Sequence, residues 1–413
     1  SMDVTAATTR AGDFRVMSLV GFGHATSHFF HLVIPSLFPW LMDDFGLSFT
    51  RAGTLTSAFF VVSGVGQALA GFLVDRHGAQ RMLAAGLALC SLSAVALSLA
   101  HGFPALVAAA LLAGAGNAVF HPAGFTILNR RVSQPMLGHA FSAHGLAGNL
   151  GWAASPVFMA GLAALAGWRA AAVGAAAVGA TALACVVVLR GTLSGRLPAR
   201  PREPAEPPPA STFAFLRSSA VWMCFLFFLA STLGFGALQN FAPSVLKNVY
   251  GLPLTAGASA LSLYLLGGAA GIAAGGFLAA RYEAHERVVG VLLTAAALLA
   301  LLLASAGVPG AAVSPLMAAI GFCTGTATPS RDLLVRKAAL ERFGHRSFGR
   351  IYGFVYSGLD AGLSIAPLLF GRLMDRGLFA HVLLGVAIFQ ALAVLAALRV
   401  GHGRTPAAAA LAR

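Results

Sequence analysis

Twelve long apolar segments are the feature that most limits how this chain can fold. A membrane-spanning helix needs about 20 mostly apolar residues, and 58% of the 413 residues are hydrophobic while 10% are charged. Soluble domains are about 25% charged, so the composition excludes an ordinary soluble fold and predicts an all-α integral membrane protein. The segments cover residues 15–41, 49–74, 80–100, 104–129, 138–164, 168–189, 218–245, 254–280, 287–306, 311–336, 347–372 and 378–399.

One long polar stretch divides these segments six and six. Residues 190–217 contain six prolines and five arginines, a composition that cannot bury enough apolar surface to pack a core. We therefore predict an N-terminal six-helix bundle at 1–189, a cytoplasmic linker at 190–217, and a C-terminal six-helix bundle with a short cytoplasmic tail at 218–413.

The two halves are related in sequence. Residues 45–76 and 250–281 align without a gap at an offset of 205, with ten identities in 32 positions. Repeated halves with a site between them near the membrane midplane are typical of secondary transporters. The repeat therefore predicts two pseudo-symmetric bundles and a transport function.

Basic residues indicate the orientation in the membrane. The chain has 27 Lys and Arg against 13 Asp and Glu, an excess that would suggest nucleic-acid binding in a soluble protein. Here 22 of the 27 lie on or near one side of the predicted spans, and short cytoplasmic loops are the ones enriched in Lys and Arg. We predict a multi-pass protein of a bacterial-type inner (plasma) membrane, with both termini cytoplasmic and no nucleic-acid partner.

The loop after the second segment carries a motif, G-F-L-V-D-R-H-G-A-Q-R, at residues 71–81. It resembles the signature loop of the major facilitator superfamily, G-x-L-a-D-R-x-G-r-R, whose members are twelve-helix secondary transporters that alternate between inward-open and outward-open states. In that family the acid of the loop latches the cytoplasmic side against the eleventh helix. The resemblance therefore implies a gating role for Gly71, Asp75, Arg76, Gly78 and Arg81.

A second pattern resembles one subgroup of that superfamily. Residues 119–122 (V-F-H-P), together with 148–151 (G-N-L-G), are similar to the FHP…GGN.G pattern of fosmidomycin-resistance-type exporters. The chain departs from it at Ser155, where the exporters have Gly before the proline, and at His28, where they have an acid. The resemblance implies export of a drug-like compound, and uptake of a carboxylate nutrient is the alternative.

Few polar side chains lie inside the predicted spans, and these are the candidate site residues. The first segment carries three histidines within an arc of about 60° on one helical face. Ionisable residues in spans are costly and usually line a transport pathway, and helices 1, 4, 7 and 10 line the cavity of the resembled family. We expect the substrate to be bound by His24, His28, His31, Asn117, His121, Asn149, Gln239, Asn240, Arg331 and Tyr356.

Four of the ionisable residues are candidates for carrying a coupled proton: Asp360, Asp332, His28 and His121. Histidine titrates near physiological pH, and Asp360 is a mid-span acid between two glycines. Arg331 and Asp332 either combine a substrate-anchoring cation with a titrating acid or form a structural ion pair at the inner gate. Because adjacent residues do not face each other on a helix, we expect these two to have different partners.

The favoured function is proton-coupled transport, by a monomer and through alternating access, of a small anionic or zwitterionic organic solute. The alternative is a copper- or zinc-type transporter that uses the histidines of the first segment as ligands. An intramembrane enzyme is the third possibility, and the repeated halves and the lack of a recognisable catalytic motif oppose it. The four cysteines lie far apart without a CxxC pair, so no resident metal or cofactor is expected.

Overall fold

The computed structural model describes residues 10–193 and 214–402, and the regular structure in these ranges is helical, without strands. A short 3₁₀ helix spans Ala214–Arg217. The α-helices are α1 (Arg10–His31), α2 (Val33–Ser36), α3 (Phe38–Phe45), α4 (Phe49–His77), α5 (Ala79–Ser98), α6 (Phe103–Asn117), α7 (Phe120–Arg131), α8 (Gln134–Ala166), α9 (Trp168–Val188), α10 (Arg190–Leu193), α11 (Ser219–Tyr250), α12 (Leu254–Arg281), α13 (His285–Ala304), α14 (Gly310–Asp375) and α15 (Phe379–His402). The predicted all-helical membrane class is confirmed.

The spans match most of the predicted segments but not all. Among the described residues, ten helices are long and apolar enough to cross a membrane, or eleven if α4, bent by 56° between Gln67 and Leu69, counts as one span. The first predicted segment, 15–41, is divided into α1, α2 and α3 instead. Its interruption has a local cause, because Pro35 lacks the N–H that would bond to the carbonyl of His31, where α1 ends.

The tenth and eleventh predicted segments are joined. We predicted a break between residues 336 and 347, whereas the helical backbone of α14 runs without interruption from Gly310 to Asp375. The intervening sequence, K-A-A-L-E-R-F-G-H-R at residues 337–346, consists mainly of residues that favour a helix and has no proline, so the helix can continue through it.

The chain forms two compact units, one of residues 1–47 and 54–204 and the other of residues 48–53 and 205–413. In the first unit α1 packs against α7 and α8, and α5 packs against α6 and α9. In the second, α14 packs against α11 and α12, and α15 packs against α11 and α13. Most of the predicted linker, residues 194–213, lies outside the described residues.

Two aspartate carboxylates accept hydrogen bonds from backbone N–H groups at helix starts, where the helix itself offers no acceptor. Asp13 is buried and accepts hydrogen bonds from the backbone N–H (3.1 Å) and the hydroxyl (2.5 Å) of Ser133, directly before α8. Within the second unit, Asp375 accepts from the N–H of Phe49 (2.6 Å) and of Thr50 (3.1 Å) at the start of α4. Both pairs satisfy donors that a helix cannot satisfy itself and set a negative charge against the positive helix end.

Glycines determine how closely the helices of the second unit approach. Gly267, Gly271 and Gly275 recur every fourth residue along α12, and a Cβ at any of them would run into a backbone carbonyl of α14. Membrane helices use such rows of small residues to pack tightly, because apolar side chains gain little from leaving lipid. The glycine row therefore fixes the position of α14, which carries the polar residues of this unit.

Replacing Gly271 by Ala is expected to lower the free energy of unfolding by about 1–3 kcal/mol, the usual cost of overpacking, because the added methyl group meets the carbonyl of Phe322. Gly276→Ala is the matched control, since no atom lies within 4 Å of its Cβ position. Thermal unfolding of the purified protein in detergent measures both. Equal unfolding temperatures for the two variants would contradict the close contact of α12 with α14.

Candidate functional site

The polar site of the first unit forms where a helix is interrupted. The predicted fourth segment is divided into α6, which ends at Asn117, and α7, which begins at Phe120. Pro122 lacks an N–H for the carbonyl of Ala118, so the regular hydrogen-bond ladder cannot pass through this point. The interruption lies between two of the predicted site residues, Asn117 and His121.

Four histidines from three helices come together here, and we call them the histidine cluster: His24 and His28 of α1, His121 of α7 and His144 of α8. The ring of His24 lies 4.3 Å from that of His28, 5.1 Å from that of His121 and 3.6 Å from that of His144, measured between centroids. The structure thus brings together three predicted site residues. It adds His144, which stacks on His24.

Glycines of the neighbouring helices make room for these rings. A Cβ at Gly148 would lie 2.7 Å from Cε1 of His24 and from Nδ1 of His28, and one at Gly124 would lie 3.0 Å from Nε2 of His144. At Gly151, a Cβ would run into the backbone carbonyl of Ala25. The glycines of the 148–151 pattern therefore face α1 and let α8 approach the histidines.

A second group of polar side chains surrounds Asn117, and we call it the asparagine network. Its amide oxygen accepts hydrogen bonds from the hydroxyl of Ser27 (2.5 Å) and from Nε2 of His31 (3.0 Å). Its amide nitrogen donates to the hydroxyl of Ser63 (2.8 Å), and the indole of Trp152 donates to Nδ1 of His31 (3.1 Å). These contacts satisfy the amide of Asn117 and both ring nitrogens of His31.

The third predicted histidine therefore differs from the other two. Because Nε2 of His31 donates to an amide oxygen and Nδ1 accepts from an indole N–H, the ring is held in its neutral Nε2–H form. By contrast, His24 donates from Nδ1 to the backbone carbonyl of His144 (2.8 Å), which leaves its Nε2 as an acceptor. His31 is part of a closed structural network, while His24 presents an unused lone pair.

Unused ring nitrogens are concentrated in the histidine cluster. Four of them are buried and lack a hydrogen-bond partner within the part of the chain that the structure describes. They are His24 Nε2, His28 Nδ1, His121 Nδ1 and His144 Nε2. Most buried polar atoms in proteins have a hydrogen-bond partner. Four neighbouring ring nitrogens that lack a partner are therefore typical of a binding site.

The second unit carries a different polar group, the Arg331–Asp332–Tyr356 triad on α14. Nε of Arg331 lies 2.9 Å from Oδ1 of Asp332, and the hydroxyl of Tyr356 donates to the same oxygen at 3.0 Å. Our expectation of separate partners for the adjacent Arg331 and Asp332 is wrong, because the long arginine side chain folds back onto its neighbour. Its guanidinium also lies 4.8 Å from the ring centroid of Phe228.

The described contacts of the other predicted residues of this unit are with residues outside the triad. Gln239 and Asn240 of α11 are buried, and Gln239 Nε2 and Asn240 Oδ1 lack hydrogen-bond partners among the described residues. The backbone carbonyl of Asp360 accepts from the hydroxyl of Ser364 (2.8 Å). Gly358, two residues before Asp360, packs against the carbonyl of Phe225 on α11.

The remaining predicted residues are at surfaces. Asn149 is half-buried and donates to the carbonyl of Gly145 in its own helix (3.0 Å). Gly71, Asp75, Arg76 and Arg81 are exposed and Gly78 is half-buried, with a φ of +89° that favours glycine. The expected partner of Asp75 lies at the start of the eleventh segment, outside the residues whose side chains are described, so the latch stays a prediction.

Membrane-spanning helices that bury polar and ionisable groups in their interior are typical of transport proteins. The sequence profile of the Major Facilitator Superfamily matches residues 18–367, and the chain belongs to that family. The prediction of the family is confirmed, and the chain is a membrane transporter rather than an enzyme.

Individual relatives agree with this assignment. The fosmidomycin resistance protein of Escherichia coli (strain K12) is 30% identical over 156 residues, 38% of each chain. The hexuronate transporter of Bacillus subtilis (strain 168) is 24% identical over 371 residues, 86% of this chain and 88% of that one. The solved structure of the nucleoside transporter NupG aligns with a TM-score of 0.75 at 14% identity, over 94% of this chain and 99% of that one, which shows the fold. The resemblance to fosmidomycin-resistance proteins is confirmed.

Sequence reasoning missed Ser27, Ser63 and Trp152. Ser27 precedes His31 by four residues, so helical spacing puts it on the same face as a predicted site residue. Trp152 follows Gly148 of the exporter-like pattern by four residues and shares its face in the same way. For Ser63 the sequence offers no such signal, because its partner Asn117 lies 54 residues away.

Replacing Asn117 by Ala is expected to lower the free energy of unfolding by about 2–5 kcal/mol, because three interhelical hydrogen bonds are lost at roughly 0.6–1.7 kcal/mol each. Asn149→Ala is the control and removes a bond within one helix, with an expected change below about 0.5 kcal/mol. Thermal unfolding in detergent compares them. A wild-type stability for Asn117→Ala would show that the network does not hold α1, α4 and α6 together.

Proposed function

We propose that this member of the superfamily is a proton-coupled secondary transporter of a small organic anion, of the sugar-acid or related carboxylate class. It works by alternating access, as a monomer, in a bacterial-type inner membrane with both termini in the cytoplasm. The orientation rests on the 22 of 27 basic residues on the predicted cytoplasmic side. The proposed class of solute and its proposed coupling to protons rest on the polar side chains of the candidate site.

The observation that carries the proposal is the Arg331–Asp332–Tyr356 triad. An arginine inside a membrane span is costly, and its planar guanidinium matches a carboxylate with two parallel hydrogen bonds. Arg331 is about four-fifths buried and is engaged by Asp332 through Nε. A cation held in this way is suited to binding an anionic solute.

The neighbouring acid supplies the coupling. When Asp332 is ionised, it neutralises Arg331 and competes with the carboxylate of a solute. When Asp332 is protonated, it no longer neutralises the guanidinium, which then attracts that carboxylate more strongly. Proton binding and anion binding therefore favour each other, which is the linkage required to move both in the same direction. Tyr356 keeps the carboxyl of Asp332 oriented by its hydrogen bond.

A relative supports the class of solute. The hexuronate transporter that aligns with 86% of this chain is named for a sugar-acid anion. His28 and His121 remain candidates for a second proton site.

Two substitutions in the triad test the coupling. In proteoliposomes with an imposed pH gradient, Asp332→Asn is expected to retain exchange of a labelled hexuronate but to lose its accumulation, because the titrating group is gone. Arg331→Gln is expected to raise KM at least tenfold, the effect of losing about 1.4 kcal/mol of binding. Arg281→Gln, at the exposed end of α12, is the control with unchanged transport. Normal pH-driven accumulation by Asp332→Asn would refute the coupling role.

Asp360→Asn tests the other acid of α14 that we predicted to carry a proton, in the same assay. If Asp360 carries a coupled proton, the variant loses accumulation and keeps exchange, because the amide keeps the size of the carboxyl without its charge. Accumulation at the wild-type level would remove Asp360 from the coupling role and leave Asp332 as the acid of this helix that carries the proton.

A further inference from the structure

Three histidines of the first unit form a constellation that suits a metal ion. One ring nitrogen from each of His24, His28 and His121 lies within 4.8 Å of those of the other two. We propose that these three residues bind a single divalent transition-metal ion of the zinc, cobalt and copper class. The inference concerns a binding site and does not depend on the solute or the coupling proposed above.

His24 has the arrangement of a metal ligand already. Its Nδ1–H donates to the backbone carbonyl of His144 at 2.8 Å, so Nε2 carries the lone pair and has no partner in the described structure. Histidine ligands in metal sites almost always donate the other ring N–H to a carbonyl or carboxylate, which fixes the tautomer and the ring orientation. The carbonyl of His144 has this function here.

The other two histidines also have ring nitrogens without partners. Nδ1 of His28 and Nδ1 of His121 are buried without hydrogen-bond partners in the described residues. Tetrahedral coordination with Zn–N bonds of about 2.0–2.1 Å brings ligand nitrogens to roughly 3.4 Å from one another. The ligand nitrogens now lie within 4.8 Å of one another, so closure around an ion requires ring movements on the order of 1 Å.

The donor set selects the class of ion. In this group the ligand atoms are imidazole nitrogens alone, and imidazole favours zinc, copper, nickel and cobalt over magnesium or calcium, which prefer oxygen. Three histidines leave a fourth coordination position for water or for a carboxylate oxygen. His31 is excluded as a ligand because Asn117 and Trp152 engage both of its nitrogens, so the ligand set differs from the one suggested by sequence spacing.

The test is metal binding to the purified full chain in detergent, after removal of any affinity tag. Calorimetric titration with Zn²⁺ is expected to give about one site per chain. His28→Ala and His121→Ala are each expected to weaken it at least tenfold, since even second-shell changes cost 10–100-fold. His101→Ala, at an exposed histidine, is the matched control and is expected to bind like the wild type. Unfolding temperatures without metal verify that the variants are folded.

Measurements on the wild type keep the inference falsifiable if a variant does not fold. X-ray absorption at the zinc edge is expected to show three imidazole nitrogens at about 2.0–2.1 Å. Absence of binding, or Zn²⁺ binding that survives the cluster substitutions and is lost in His101→Ala, would overturn the site. Hexuronate accumulation measured with EDTA reports separately on the proposed transport function, so the two proposals can fail independently.

Discussion

A polar side chain within the hydrocarbon of a membrane must find its partner inside the protein, because no water is present to supply one. This requirement explains the asparagine network, in which Asn117 of α6 bonds to Ser27 and His31 of α1 and to Ser63 of α4. The histidine cluster next to it does not meet the requirement, since four of its nitrogens are buried without partners in the described residues. The contrast separates the polar groups that hold the helices together from those that remain available for a ligand.

Close packing through glycine makes both arrangements possible. Gly148 and Gly151 let α8 approach α1 so that imidazole rings fill the space between them, and the glycine row of α12 holds α14 in position. The helix carrying Arg331 and Asp332 is therefore held by backbone contacts at Ala318, Phe322 and Thr326, just before this pair. A transporter needs such rigid elements, because solute binding can then move whole helices as units rather than shift only the side chains around the solute.

Much of this architecture could be predicted from single-residue patterns. Apolar segments indicated the helical membrane fold, and the spacing of His24, His28 and His31 predicted one helical face. The role of His31 could not be predicted, because Asn117 and Trp152, which occupy its nitrogens, lie 86 and 121 residues away. The rule that adjacent helical residues point apart failed at Arg331, whose side chain is long enough to reach Asp332.

The central claim is that a solute anion and a proton bind together at the Arg331–Asp332 pair. Proton uptake during solute binding tests it most directly, with a pH-sensitive dye, weakly buffered purified protein and a hexuronate as the ligand. The account predicts uptake of about one proton per bound anion in the wild type and none in Asp332→Asn. Hexuronate binding without proton uptake by the wild-type protein would contradict it.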